Sequence, residues 1–243
     1  MNKLPVEIKP CPIVEAILEI RYSSDIPSEA RFGMIYGSIG DFFKNEPIPL
    51  PIAHLPQDIR NQDPNLRYKA HHQFREKNQT LNVGPDVINF STSEPYCGWK
   101  AWSVFFYKIL ETFLNSKVLK KVERIGLRYI NRFEENIFEK IDCEVFVTGN
   151  KLTNESTNLR TEMIDDEFIK VLQIGNSITM IRDRNKINCS VIDIDVLYNI
   201  EDSKHFVQNH QEIIEKAHIK EKQIFFSLLK DSYLNKFNPI YGD

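Results

Sequence analysis

The sequence predicts an α+β protein built from antiparallel β meanders, each with one long helix packed on it. Three observations predict it. Several segments alternate apolar and polar residues with period two, as half-buried strands do. Two long segments, opening at Trp99 and Ser203, carry apolar residues at helical spacing. Each half of the chain therefore reads as strands followed by a long apolar-striped helix.

Taken in order, Val14 to Tyr22 is a strand, with Val14, Ala16, Leu18, Ile20 and Tyr22 on one face and Glu15, Glu19 and Arg21, with Ile17, on the other. Pro27-Ser28-Glu29 opens a helix through about Phe43, where Phe32, Ile35, Tyr36, Ile39 and Phe43 share a face. Residues 46–66 hold five prolines and read as a loop with one short extended piece. Gln73 to Val83 and Val87 to Ser91 read as a hairpin turning at Gly84-Pro85-Asp86. Trp99 to Asn115 is a helix whose stripe is Trp102, Phe105, Phe106, Ile109, Leu110 and Phe113. Aromatics at this spacing form core far more often than a stacking platform.

Arg124 to Phe133 is the next strand, followed by a short one near Glu144 to Thr148. Gly149 to Thr161 is polar and expected to be a loop. Phe168 to Ile174 and Ser177 to Arg182 are expected as a hairpin around Gly175-Asn176. Asp183 to Asn188 turns the chain into a strand from Cys189 to Tyr198.

The last helix is expected from about Ser203 to Phe237, capped by Asp202 or Ser203 and stopped by Asn238-Pro239. Its apolar stripe recurs every eleven residues, at Phe206, Ala217 and Leu228, at Ile213 and Ile224, and at Ile214 and Phe225. Uninterrupted, it would span roughly 50 Å, longer than a compact domain. It is expected either to kink, with Lys220-Glu221-Lys222 as the weak point, or to project Phe206, Ile213, Ile224, Phe225 and Leu228 onto a partner as a homodimer or hetero-complex. The expected organisation is an N-terminal lobe over residues 1–116 and a C-terminal lobe over 117–243, sharing one sheet or packing closely.

The bulk properties exclude several classes. A formal charge of −3 gives no general attraction to nucleic acid, so such binding would need a local basic patch. Cys11, Cys97, Cys143 and Cys189 show no metal-ligand spacing and read as free, mostly buried thiols. No metal and no cofactor is expected. No stretch approaches the ~18 apolar residues of a membrane span, and the proline-bearing start is not a signal peptide, so the expected location is cytoplasmic. GxSxG, P-loop, GxGxxG and HExxH motifs are absent.

Two constellations could carry chemistry. Arg124, Arg128 and Arg132 share one strand face over roughly 27 Å, a spacing suited to repeated phosphates or a line of carboxylates. Asp193 and Asp195 share another, about 7 Å apart along the backbone, close enough for one cation or one substrate. The plainer alternative is that the aspartates neutralise the arginines, in which case the site readings mostly collapse. His71 and His72 diverge on an extended segment. His210 and His218 lie on one side of the last helix with Glu215 near them, and read as surface or capping residues. Arg182, Arg184 and Lys186 read as a solvated turn.

Several segments together resemble a known pattern. They are Pro12-Ile13-Val14-Glu15-Ala16-Ile17, Tyr96 with Gly98-Trp99, Arg124 through Arg132, Asp193-Ile194-Asp195, and Ala217-His218 with Phe226 and Leu229. They resemble a sporadically distributed prokaryotic family of uncharacterised proteins of similar length, nearly end to end. The resemblance implies no particular activity. The family's patchy distribution implies an accessory gene of a mobile element, toxin–antitoxin or defence system. The function expected is a non-enzymatic binding or regulatory protein acting through protein partners. The alternative is an enzyme or sensor for a phosphate-bearing ligand, with Arg128 and Arg132 as clamps and Asp193 and Asp195 as cation ligands or bases.

Overall fold

A computed structural model describes residues 3–182 and 185–242. In chain order its strands and helices are β1 (Pro5–Glu7), β2 (Ile13–Ser23), α1 (Ser28–Ile39), β3 (Ile48–Pro49), α2 (Gln57–Gln62), β4 (His72–Glu76), β5 (Gln79–Val83), β6 (Val87–Ser93), α3 (Trp99–Leu114), β7 (Lys121–Phe133), β8 (Phe146–Val147), β9 (Asn150–Lys151), β10 (Thr157–Asp165), β11 (Phe168–Arg182), β12 (Asn185–Asn199), α4 (Ser203–Leu228), α5 (Asp231–Leu234) and β13 (Ile240–Tyr241). The fold is α+β. Nine strands form one antiparallel sheet in the order β10-β11-β12-β7-β2-β6-β5-β4-β3. The two expected lobes meet in its middle, where β7 pairs with β2.

The alternation in the strands decides which face is covered. Ala16, Leu18, Ile20 and Tyr22 of β2 are fully buried, as are Ile125 and Leu127 of β7 and Ile192, Ile194 and Val196 of β12. Helices α1, α3 and α4 lie over that face. Phe113 of α3 packs edge-on to Tyr22, Trp102 on Tyr129, and Phe106 on Phe90. Tyr36 of α1 stacks on Phe74. The opposite face of the sheet is left to polar side chains.

Four expectations change. Gln73 to Val83 is not one strand: the chain turns at Lys77-Asn78, so β4, β5 and β6 form a meander. The 46–66 segment contains, besides the extended pair β3, the short helix α2. Residues 157–161, expected as loop, open the edge strand β10, which is paired along its whole length with β11. Gly175-Asn176 is no turn. β11 runs on through a bulge between Gly175 and Ile178, with Ser177 at φ 49°. The buried Asn176 side chain holds the bulge by accepting from the Ile137 amide at 2.8 Å and donating to the Glu155 carbonyl at 3.2 Å. The turn expected at Asp183 to Asn188, with Arg184, lies partly outside the described residues.

The last helix also ends early. Asp202 caps it as expected, its carboxylate accepting from the amides of Lys204 and His205. It kinks at Asn209, not near Lys220. It stops at Leu228 because the 140–142 segment captures the backbone there: Asp142 N donates to Leu228 O at 2.7 Å and Lys230 N to Lys140 O at 3.0 Å. Phe206, Ile213, Ile224 and Phe225 are buried within the same chain and Leu228 is half-buried against that core. The stripe expected to need a partner is therefore covered by the chain's own sheet. Of the four free cysteines, Cys11 and Cys97 are exposed and only Cys189 is buried, against the expectation of mostly buried thiols. Among the described residues no helix is long and apolar enough to cross a membrane.

Candidate functional site

The open face of the sheet carries a continuous polar band. It is built by parity: the residues that alternate with the core positions of β12, β7, β2, β6, β5 and β4 all point the same way. Asp193 and Asp195, Arg124 and Arg128, Glu15 and Glu19, Asn89 and Ser91, Asn82, and Gln73 follow one another across the strands. Gln73 donates to Asn82 at 2.8 Å and Asn82 to Asn89 at 2.7 Å, an amide ladder from strand to strand.

The structure brings the arginine and aspartate strands side by side. Register places Asp195 directly opposite Arg128, and Asp193 opposite Ile130. The Arg128 guanidinium reaches diagonally to Asp193 in a two-pronged pair, with Nε donating at 2.8 Å and the second prong from Nη2. That hydrogen bond holds Arg128 more firmly protonated than a free arginine. Arg124 and Arg21 both donate to Oε1 of Glu19, at 2.8 and 2.7 Å. Arg21 also lies under the Tyr68 ring at 4.2 Å. Arg132 stands apart and donates to Glu94 at 3.1 Å. All three arginines of the row are thus ion-paired, Arg128 with an aspartate from the expected pair and the others with glutamates.

Asp195 is different. Its Oδ1 is buried without a hydrogen-bond partner among the described residues. Burial raises its pKa to about 6, relieved only partly by Arg128 and Arg124. The absence of a side chain at Gly126 makes room for it, since a Cβ there would stand 3.2 Å from Oδ1. Glu15, across β7, is likewise pushed up by burial and has no ion-pair partner among the described residues. Asp195 and Glu15 line a cavity of about 360 Å3 with Arg124, Arg128, Asn89 and Ser91.

A larger cavity, of about 700 Å3, lies between α1 and the segment after α2. Two of its arginines are ion-paired, Arg31 and Arg67 both with Asp86, and Arg60 lies 3.0 Å from His71 Nδ1. Burial and Arg60 push His71 down to about 4. The larger cavity also has buried unpartnered atoms, Arg60 Nε and His72 Nδ1, but the open-face cavity is the one lined by the arginine row and Asp195 and is the candidate site.

A second polar cluster lies under the helices, and the expectation of surface or capping histidines misses it. His218 of α4 stacks on Trp99 with ring centroids 4.0 Å apart, and its Nδ1 is 3.3 Å from the Tyr129 hydroxyl. The Trp99 indole donates to both oxygens of Glu215. Glu221, one turn beyond His218, is buried, and its pKa is raised to about 8 by that burial. The signal was present: Glu221 interrupts the apolar stripe between Ala217 and Ile224. No protein-family model and no curated protein matches the chain.

Proposed function

We propose that the protein is a non-enzymatic binding protein and that it takes its partner on the open polar face of the sheet. The observation that carries this reading is Asp195, a half-buried carboxylate with one buried, unpartnered oxygen beside a cavity. A carboxylate buried without donors is unfavourable, so a donor brought from outside relieves it. The cations around it are engaged, Arg128 by Asp193 and Arg21 and Arg124 by Glu19. The uncommitted groups, Asp195 and Glu15, are acidic. An ammonium or guanidinium on a partner's side chain fits that remainder better than a phosphate, which needs free cations. This reading is compatible with the accessory gene that the resemblance implies.

The phosphate reading keeps one supporting observation, the buried Nε of Arg124 without a partner among the described residues. Agmatine and pyrophosphate separate the two by thermal shift at pH 7.5. Agmatine is expected to raise the Tm of the wild type and not of Asp195→Asn. A response to pyrophosphate instead, lost in Arg124→Gln, would favour the phosphate site. A Tm indifferent to agmatine in both proteins counts against the proposal.

A further inference from the structure

The two edges of the nine-stranded sheet are unlike. One is β3, two residues long and containing Pro49. Short edge strands, proline, lysine and bulges are the usual devices against edge-to-edge pairing. The other edge is β10, nine residues paired to β11 without a break in register and with neither proline nor lysine. Its outer backbone groups meet no strand among the described residues.

We propose that β10 is a homodimerisation edge, pairing antiparallel with the β10 of a second copy about a two-fold axis at Thr161. The sequence of the strand is self-complementary about that residue. The turn between β10 and β11 is the two residues Asp166-Glu167, so the flanking pair Asp165 and Phe168 exchanges both hydrogen bonds and alternate residues follow suit. Thr157, Leu159, Thr161, Met163 and Asp165 therefore turn their backbone groups inward, to β11. Asn158, Arg160, Glu162 and Ile164 turn theirs outward. With the axis at Thr161, Arg160 meets Glu162 of the second copy as a hydrogen-bonded pair, twice by symmetry. Leu159 meets Met163 of the second copy on the helix side, where both already pack against the core. Thr161 meets its own equivalent. Opposite charges, apolar pairs and Thr–Thr pairs are the favourable cross-strand neighbours.

The neighbouring registers are disfavoured by the same charges. An axis at Arg160 sets two arginines opposite each other, and an axis at Glu162 sets two glutamates. The chosen register also gives partners to every outward backbone group from Asn158 to Ile164, and it begins to cover Ile164, which is 85% exposed. The partner is a second copy rather than a foreign strand because the charge order Arg160, Thr161, Glu162 is complementary to itself when reversed.

The test is light scattering on the full chain with a charge swap. The wild type is expected to be a dimer at high micromolar concentration. Arg160→Glu is expected to raise the dimer Kd by roughly tenfold or more, and the double variant R160E/E162R to restore it. Within one chain Arg160 already pairs with Glu162, but both side chains are more than half exposed, so that pair adds little to folding and the Tm should hold. Independently, Thr161→Cys with an added oxidant should give a disulfide-linked dimer through that position, since facing residues of a non-hydrogen-bonded pair lie within disulfide reach. A monomeric wild type, a dimer unmoved by Arg160→Glu, a double variant that stays monomeric, or a crosslink only through Cys11 or Cys97 would overturn the proposal.

Discussion

Asp195 and Asp193 sit two residues apart on one strand face and yet play opposite parts. Asp195 has a pKa raised to about 6 by burial, against about 3.9 in an unfolded chain. As pH rises through that window the unfolded chain loses its proton first, so folding stability falls, and the loss is complete above about 6. Asp195→Asn is therefore expected to stabilise the protein at pH 7.5, by ~1–3 kcal/mol, and to change little at pH 4. Urea unfolding at the two pH values checks this. Asp193→Ala should do the reverse, because it strands the Arg128 guanidinium. With 38% of the Arg128 side chain exposed, the expected loss is only ~1–2 kcal/mol, read from the same urea midpoints. At this scale the arginine row and the aspartate pair were legible from alternation alone. Which carboxylate meets which arginine was not, because that depends on register between strands far apart in the chain. Glu19 was legible only as a member of the polar face of its strand, and nothing in the pattern pointed to Glu94.

Among the elements, α4 carries the strongest electrostatic signature. Glu221 is raised to about 8 and His218 lowered to about 3, both chiefly by burial. Lys222 offsets the first and adds to the second. The phenols of Tyr96 and Tyr129, which face the cluster from the sheet side, are also raised and stay neutral. Glu221 removes stability as pH climbs from about 4 to 8. His218 removes it as pH falls below about 6.5, where the unfolded histidine takes a proton and the folded one does not. Between about pH 4 and 6.5 the two nearly cancel, so the net decline from this pair is expected above about 6.5. Glu221→Gln should flatten that decline and gain on the order of 3 kcal/mol over the wild type between pH 5 and 8. A Tm-versus-pH series on both proteins reads it, and an unchanged slope would refute it. The position of α4 was legible from its apolar stripe and its Asp202 cap. Its early end was not, since Leu228 is stopped by backbone bonds from residues almost ninety positions earlier. β10 was missed for a different reason. As an edge strand it buries no residue fully, and only Leu159 and Met163 of its apolar side chains pack on the core, so its composition is that of a loop.

For the whole molecule, the pairing of β2 with β7 joins the two halves through the centre of the sheet. The packing of Trp102 on Tyr129 crosses the same boundary. Scanning calorimetry is therefore expected to show one cooperative transition with matching calorimetric and van't Hoff enthalpies. Two separable transitions would mean that the lobes over 1–116 and 117–243 are independent. The sequence by itself determined the class, the parity of β2, β7 and β12 and the helices that cover one face. Those are local, periodic properties, set by which side of each strand must leave water. Tertiary structure decided the strand order, the ion pairs, the isolation of Asp195 and the end of α4. It also decided that Gly175-Asn176 would be a bulge, because the Asn176 amide finds its partners at Glu155 and Ile137 instead of in a local turn. Each of those depends on contacts between distant segments, and no local pattern of residues encodes where a distant segment will arrive.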